Sequence, residues 1–315
     1  MQSLQEQNIA YKNHADKGLI SRIQKYSTKD GPGIRTTVFF KGCPLHCLWC
    51  SNPELISLEQ EILFDSKKCV LCGSCIKACP QNAILQKDGK TYIKRDICSK
   101  CGICEKICPK GVYELIGTYI TQEDLLKELI KDEVFYNVSG GGVTFSGGEP
   151  VLQYKFLKKV AEGLKEHKIH VALETAGYVP WGCFEEILSL IDLVLYDIKT
   201  TDKVKHEKLT GGNVDIILKN ALKMSELNIP MIIRLVLIPG YNDSREDVIE
   251  RLNFIRKLNS VKRVDILPYH RLGAAKYNML GQKYLLKDLK EPEEQFVDEI
   301  KSMIESFGYK VSIGG

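Results

Sequence analysis

The stretch KGCPLHCLWCSNPE (41–54) carries Cys43, Cys47 and Cys50, and the next cysteine is Cys69. Thiolate metal sites usually close with four ligands, whereas a reactive metal centre keeps one position open. Cys43-x3-Cys47-x2-Cys50 has the spacing to hold three corners of a [4Fe–4S] cubane and to leave the fourth iron without a protein ligand. A remote residue completing a structural site is the other reading. The spare cysteine is Cys183, and its surroundings, PWGCFEEIL (180–188), read as a buried helix start.

The other cysteines point the same way. Of twelve, eleven lie between Cys43 and Cys108, a clustering that points to metal. KCVLCGSCIKACPQNAI (68–84) and ICSKCGICEKICPKGVY (97–113) repeat one spacing, C-x2-C-x2-C-x3-C-P. In such runs three thiolates of one loop share a cluster, and the fourth ligates the neighbouring one. Cys69, Cys72, Cys75 and Cys108 are therefore expected on one cluster, and Cys98, Cys101, Cys104 and Cys79 on the other. A pair of zinc sites would not require the pattern twice. QKDGKTYIKRD (86–96), between the repeats, reads as a hairpin around Asp88-Gly89.

The 315 residues are 44% hydrophobic, enough for one large core or a core plus a small domain. A net charge of +4 gives no reason to expect nucleic acid. No apolar run reaches the length of a membrane span. The polar opening, MQSLQEQNIAYKNHADKG (1–18), lacks the apolar stretch of a secretory signal, so a cytoplasmic protein is expected. In that reducing compartment disulfides are not expected.

Outside the cysteine repeats, apolar runs alternate with amphipathic stretches. Strands are expected at 34–40, 143–147, 170–175, 193–199, 231–238 and 263–269, and helices at 121–133, 153–167, 182–190, 214–227, 244–258 and 293–307. Thr121-x-x-Asp124 and Ser244-x-x-Asp247 resemble capping boxes with Asp in the acidic place. This succession predicts parallel βαβ units, with the cysteine repeats inserted after the first strand. A six-unit partial barrel and an open doubly wound sheet both fit the periodicity, and either puts catalytic groups at the carboxyl ends of the strands.

The three-cysteine run resembles the signature of the radical S-adenosylmethionine (SAM) superfamily. SGGEP (146–150) matches the same family at a suitable distance. KYSTKDGPGIRTTVFFKGCPLHCLWC (25–50), LETAG (173–177), DIK (197–199), RLVLIPG (234–240) and LPYHRLG (267–273) narrow the likeness to the glycyl-radical-enzyme activating enzymes. The resemblance implies a partial (β/α)6 TIM-like barrel over 1–60 and 116–315, interrupted at 61–115 by a bacterial-ferredoxin-like α+β domain with two [4Fe–4S] clusters. It implies that SAM chelates the open iron and that one electron cleaves it to a 5′-deoxyadenosyl radical. That radical then takes a hydrogen from a glycine of a partner enzyme.

Residue by residue, the resemblance sets Gly147, Gly148 and Glu149 against the SAM amino group. Lys199, sharing a strand face with Asp197, goes to its carboxylate. His270 contacts SAM, and Trp49 lies near the adenine, ordinary core packing being its other reading. Glu174, Thr175, Asp197 and the Leu195 carbonyl match ligands of a monovalent cation (Na+ or K+), with one departure: Glu174 stands where pyruvate formate-lyase activating enzyme has Asp. Asp30 and Arg234 match positions facing the partner's glycyl loop. Flavodoxin or ferredoxin is implied as electron donor, and the chain is expected as a monomer. Choline trimethylamine-lyase leads the partner candidates, beside glycerol or diol dehydratase and isethionate sulfite-lyase. Hydroxyphenylacetate decarboxylase activators look less close, because of their different insert spacing. A radical SAM enzyme acting on a small molecule and a plain electron carrier are the competing classes. The carrier reading leaves the open site, SGGEP and DIK unexplained.

Overall fold

The computed structural model describes residues 16–314; most of the polar N-terminal stretch lies outside the described residues. Thirteen strands are present among the described residues: β1 (Lys17–Ser27), β2 (Arg35–Phe40), β3 (Glu61–Phe64), β4 (Ile84–Lys87), β5 (Lys90–Ile93), β6 (Tyr113–Ile116), β7 (Thr118–Thr121), β8 (Gly142–Gly147), β9 (His170–Thr175), β10 (Leu193–Asp197), β11 (Met231–Leu237), β12 (Val261–Pro268) and β13 (Val311–Ile313). Nine form one sheet in the order β13-β12-β11-β10-β9-β8-β2-β1-β7. From β2 through β8 to β13 every neighbouring pair is parallel. The parallel strands follow chain order without reversal, which excludes the doubly wound alternative and leaves the barrel succession.

The sheet curls. Six strand steps separate β13 from β2, about 29 Å on a flat sheet. Yet a side chain on Gly314, just past β13, would lie 3.0 Å from Nζ of Lys29, in the loop leading into β2. Arg234 on β11 likewise donates to the Lys29 carbonyl at 2.7 Å, across four strand steps. The strand faces divide the chemistry. Val38, Phe40, Val143, Phe145, Val171, Leu173, Val194, Tyr196, Ile233 and Ile266 point outward into the main core. Leu157 and Val160, Ile217 and Met224, Val248 and Leu252, and Ile300 and Ile304 cover that core from four amphipathic helices. By strand alternation Ser146, Glu174, Asp197, Arg234 and Asp265 face the concave side.

Most of the expected elements form, with shifts at their ends. The six strands appear within a few residues of the expected bounds, and helices cover Gln122–Ile130, Tyr154–Glu166, Val214–Glu226, Arg245–Ile255 and Glu294–Ser306. The Thr121 and Ser244 hydroxyls each accept from the amide three residues on. The stretch 182–190 is instead a short helix, Trp181–Glu185, followed by a 3-10 turn, Leu188–Leu190. Cys183 is buried in that short helix, as its context suggests. Strands β1, β7 and β13 were not expected. They are edge or next-to-edge strands, and β1 mixes Arg22, Gln24 and Lys25 among its apolar residues, so an apolar-run criterion passes over it. The helix Lys203–Thr210 is missed for a similar reason: KVKHEKLT does not segregate into apolar and polar faces.

Strands β3 and β6 pair antiparallel, Glu61↔Ile116 through Phe64↔Tyr113, and bring the two ends of the 61–116 segment together. Within it β4 and β5 form the hairpin at Asp88-Gly89, both residues having positive φ (51° and 66°), as in a type I′ turn. Two short helices, Ser74–Ala78 and Ile103–Ile107, sit at equivalent places in the cysteine repeats.

Leu157 is fully buried beneath the outer helices, away from the concave face. Leu157→Ala is expected to cost about 2–5 kcal/mol of stability, read as a lower denaturant midpoint, with SAM affinity at low temperature unchanged.

Candidate active site

Between β2 and the insert, the chain turns over the top of the sheet, and backbone hydrogen bonds fix that turn. Gly42 and Cys43 amides donate to the Leu55 and Ile56 carbonyls (2.8 and 3.0 Å). The Gly42 carbonyl accepts from Glu149 N–H at 2.7 Å, and Phe40 carbonyl from Gly148 N–H at 2.9 Å. On the other side His46 and Leu48 amides donate to the Thr210 and Leu209 carbonyls (2.8 and 3.0 Å), at the end of the helix Lys203–Thr210. Gly147 and Gly148 allow the close approach: a Cβ at Gly147 would lie 2.4 Å from Phe40 backbone atoms, and one at Gly148 2.2 Å from the Gly42 carbonyl oxygen.

Cys43, Cys47 and Cys50 line one cavity of ≈ 610 Å³, together with Trp49, Gly147, Gly148, Glu174, Thr175, Asp197, Lys199 and His270. The size suits a cofactor-sized molecule. Cys183 packs in the outer core instead. Burial raises the pKa of all three thiols, that of Cys50 to about 12, and for Cys43 and Cys50 the neighbouring thiol adds to the rise. Three crowded, desolvated thiols become thiolates when a cationic iron core takes them as ligands, so this donor set fits an iron–sulfur cluster. Lys199 stands beside them. Burial opposes its charge, but Asp197 and the Cys47 thiol hold its pKa above lysine's ordinary value; its Nζ lies 2.8 Å from Asp197 Oδ2.

Glu149, at the end of SGGE, is buried and pushed up to about 7 by that burial. It accepts from the Thr175 hydroxyl at 2.7 Å and from the Ala176 amide at 3.1 Å. Its amide fastens the cysteine turn, while its carboxylate fastens the end of β9. Trp49 is packed among Leu209, Ile238, Tyr269, Tyr277 and Tyr284 and also borders the cavity. His270 is exposed at the cavity rim.

The expected cation ligands are otherwise engaged. Glu174 Oε1 pairs with Arg234 at 2.5 Å, and Oε2 accepts from the Ser146 hydroxyl at 2.5 Å. The Thr175 hydroxyl donates to Glu149, and Asp197 Oδ2 holds Lys199. Leu195 lies one step back on β10, opposite Glu174 in the ladder. Glu174 and Asp197 are thus each already paired with a cationic side chain. Asp30 accepts from the Thr37 hydroxyl at 2.7 Å, half-buried below the cavity, and Arg234 is buried.

In the insert, Cys69, Cys72, Cys75 and Cys108 border one small cavity, and Cys79, Cys98, Cys101 and Cys104 another. The structure thus brings together the two crossed sets of four. Cys72 and Cys101 are exposed, and Cys75 is buried beneath the Tyr113 hydroxyl at 3.2 Å. Sequence reading missed Lys276, whose ammonium reaches Asn52 at 2.8 Å and buried Glu54 at 2.5 Å just past the cysteine turn. It also missed Lys41, buried against the Glu54 carbonyl and Glu61. Lys276 lies in no quoted motif, and Lys41, although it opens the cysteine stretch, carries no local signal of its distant partners.

Residues 37–252 match the model of the radical SAM superfamily. Along its whole length the chain is similar to trans-4-hydroxy-L-proline dehydratase activating enzyme of Clostridioides difficile, 43% identical over 300 residues, 94% of this chain and 99% of that one. It is 41% identical over 278 residues to 4-hydroxyphenylacetate decarboxylase activating enzyme of Clostridium scatologenes, 85% of this chain and 88% of that one. Choline trimethylamine-lyase activating enzyme of Oleidesulfovibrio alaskensis is 37% identical over 305 residues, 94% of this chain and 98% of that one. By identity the hydroxyphenylacetate relative is no more distant than the choline one, although a smaller share of this chain aligns with it. QueE from Escherichia coli has the same fold at 12% identity, covering 97% of both chains with a TM-score of 0.51. The chain belongs to the radical SAM superfamily and, within it, to the glycyl-radical-enzyme activating enzymes. Membership brings SAM and a [4Fe–4S] cluster, and the donor set of the cavity fits both.

His206 supports the cysteine turn from below. It is fully buried, its Nδ1 lies 2.7 Å from the Gly212 carbonyl, and its Nε2 has no partner. Burial lowers its pKa, so the folded protein takes up this proton less readily than the unfolded chain. This stabilisation is complete above about pH 6.5 and is lost as pH falls below that toward the depressed folded value. Melting temperature is expected to drop between pH 7 and 5.5, and His206→Asn, which keeps a donor for Gly212, to flatten that limb.

Proposed function

We propose that this chain installs a glycyl radical on a partner enzyme through the ≈ 610 Å³ cavity at the carboxyl ends of the parallel strands. The observation that carries this is the meeting, in one cavity, of three desolvated thiols, a Gly-Gly backbone edge and one lysine ammonium. Cys43, Cys47 and Cys50 would hold the cluster, three thiolates without a fourth cysteine beside them among the described residues of the cavity. When bound, the cluster and SAM supply a 5′-deoxyadenosyl radical. The Gly147–Gly148 edge, with Glu149 buried behind it, would receive the SAM amino group, and Lys199 its carboxylate. Trp49 walls the adenine side, and His270 closes the rim. Burial keeps water from the reacting centre. The family likeness gives Asp30 and Arg234 to the side facing the glycine loop, with Arg234 buried against Glu174.

Residues 61–115 form a ferredoxin-type domain between barrel segments 1–60 and 116–315. It carries two further [4Fe–4S] clusters, one on Cys69, Cys72, Cys75 and Cys108, the other on Cys98, Cys101, Cys104 and Cys79. Their meeting at two cavities supports the assignment. A reduced flavodoxin or ferredoxin is the donor, and the chain works as a cytoplasmic monomer; among the described residues no helix is long and apolar enough to cross a membrane. For the partner, the 43% identity to the hydroxyproline dehydratase activator favours a dehydratase of that kind over choline trimethylamine-lyase, whose activator is 37% identical.

Iron analysis is expected to give about twelve irons per chain. Cys43→Ala is expected to abolish 5′-deoxyadenosine formation with SAM and dithionite, whereas Cys72→Ala keeps SAM binding and loses iron from the insert. A glycyl radical signal should appear when the protein is incubated with hydroxyproline dehydratase and SAM. Full SAM cleavage by Cys43→Ala would refute the ligand assignment, and a panel of glycyl radical enzymes without any radical signal would favour a small-molecule substrate.

A further inference from the structure

Glu174 is the position at which this sequence departs from the Asp of pyruvate formate-lyase activating enzyme, and the structure gives the longer side chain a use. Glu174 stands on β9 and Arg234 on β11, two strand steps or about 10 Å apart along the sheet. The extra methylene of glutamate carries its carboxylate to the guanidinium, 2.5 Å away. We propose that Arg234 serves as a built-in cation in the place the family resemblance gives to Na+ or K+, and that this protein binds SAM without a monovalent metal ion. The inference rests on reading the cavity as the SAM site.

Four observations carry it. Both Glu174 oxygens are taken, one by Arg234 and the other by the Ser146 hydroxyl. The Thr175 hydroxyl gives its proton to Glu149 and accepts from the Gly177 amide at 2.9 Å, so its donor and one of its two lone pairs are already used. Asp197 commits Oδ2 to Lys199 and leaves Oδ1 alone without a partner; one oxygen does not replace the several that a hard cation takes. Arg234 itself is pinned, only 5% exposed, with its other terminal nitrogen on the Lys29 carbonyl at 2.7 Å.

Glu174 pairs with Arg234 and Asp197 with Lys199 on neighbouring strands, so each of these two carboxylates already has a cation beside it. With an aspartate at 174 the carboxylate would fall short of Arg234, and an ion would have both a ligand and a reason to bind.

The test is SAM binding to cluster-reconstituted protein in potassium and in tetramethylammonium buffers of equal ionic strength. The wild type is expected to show the same Kd within about twofold. Glu174→Asp is expected to bind SAM more weakly in tetramethylammonium and to recover at least about tenfold in potassium. Arg234→Gln should behave alike, because it leaves Glu174 in need of a positive charge. A wild-type affinity that rises about tenfold or more with potassium overturns the inference, as does a Glu174→Asp variant indifferent to the ion. Failure to bind SAM in either buffer would instead strike the reading of the cavity itself, a distinguishable result.

Discussion

The rest of the structure is organised around keeping three half-buried cysteines close together on a turn that has almost no secondary structure of its own. Each thiol resists ionisation because it is desolvated, and Cys43 and Cys50 also because a neighbouring thiol crowds them. Such a set binds metal well only if the backbone beneath it is already in position. The parallel register of β2 and β8 ends with Phe40 opposite Gly147, which places two glycines directly under the turn. The missing side chains let three backbone hydrogen bonds form where a Cβ would collide. The helix Lys203–Thr210 fixes the opposite side through two carbonyls. The turn is therefore held by elements more than 100 residues downstream.

Charge is arranged by the same alternation that builds the sheet. Residues pointing outward on each strand are apolar and covered by helices, and those pointing inward near the carboxyl ends are Ser146, Glu174, Asp197 and Arg234. Buried ions need partners, and here the partners come from adjacent or next-adjacent strands. Lys199 is the ammonium nearest the thiols and keeps its proton because Asp197 and those thiols outweigh the cost of burial. A second buried network, Lys276 and Lys41 on Glu54 and Glu61, ties the exit of the cysteine turn to the helix Ala274–Met279 and to the first strand of the insert. Arg95 completes that tie, donating to the carbonyls of Ile62 and Met279.

Much of this was readable from local patterns. Apolar runs such as HVALET and LVLYD mark strands because a strand covered on its outer face and lining a closed cavity has few exposed positions. The hairpin at Asp88-Gly89 follows from residues that tolerate positive φ. The two cysteine repeats name their own partners, because in such paired runs the fourth thiolate of each ligates the neighbouring cluster. Strand β1 and the helix Lys203–Thr210 were not readable in this way. Their residues are half exposed and only weakly periodic, and neighbours distant in sequence hold them in place.

By itself the sequence determined the chemical inventory and its short-range geometry: three cysteines on one turn, eight on two repeats, glycines at the end of one strand, and Asp and Lys two apart on another. These are relations within a few residues, where backbone geometry leaves little freedom. Only the tertiary structure decided the direction in which the sheet curls, the strand edges, and the partner of each buried charge. Glu174 was legible as an oxygen ligand. That it meets Arg234 depends on the distance between two strands 60 residues apart, and no local pattern records that distance.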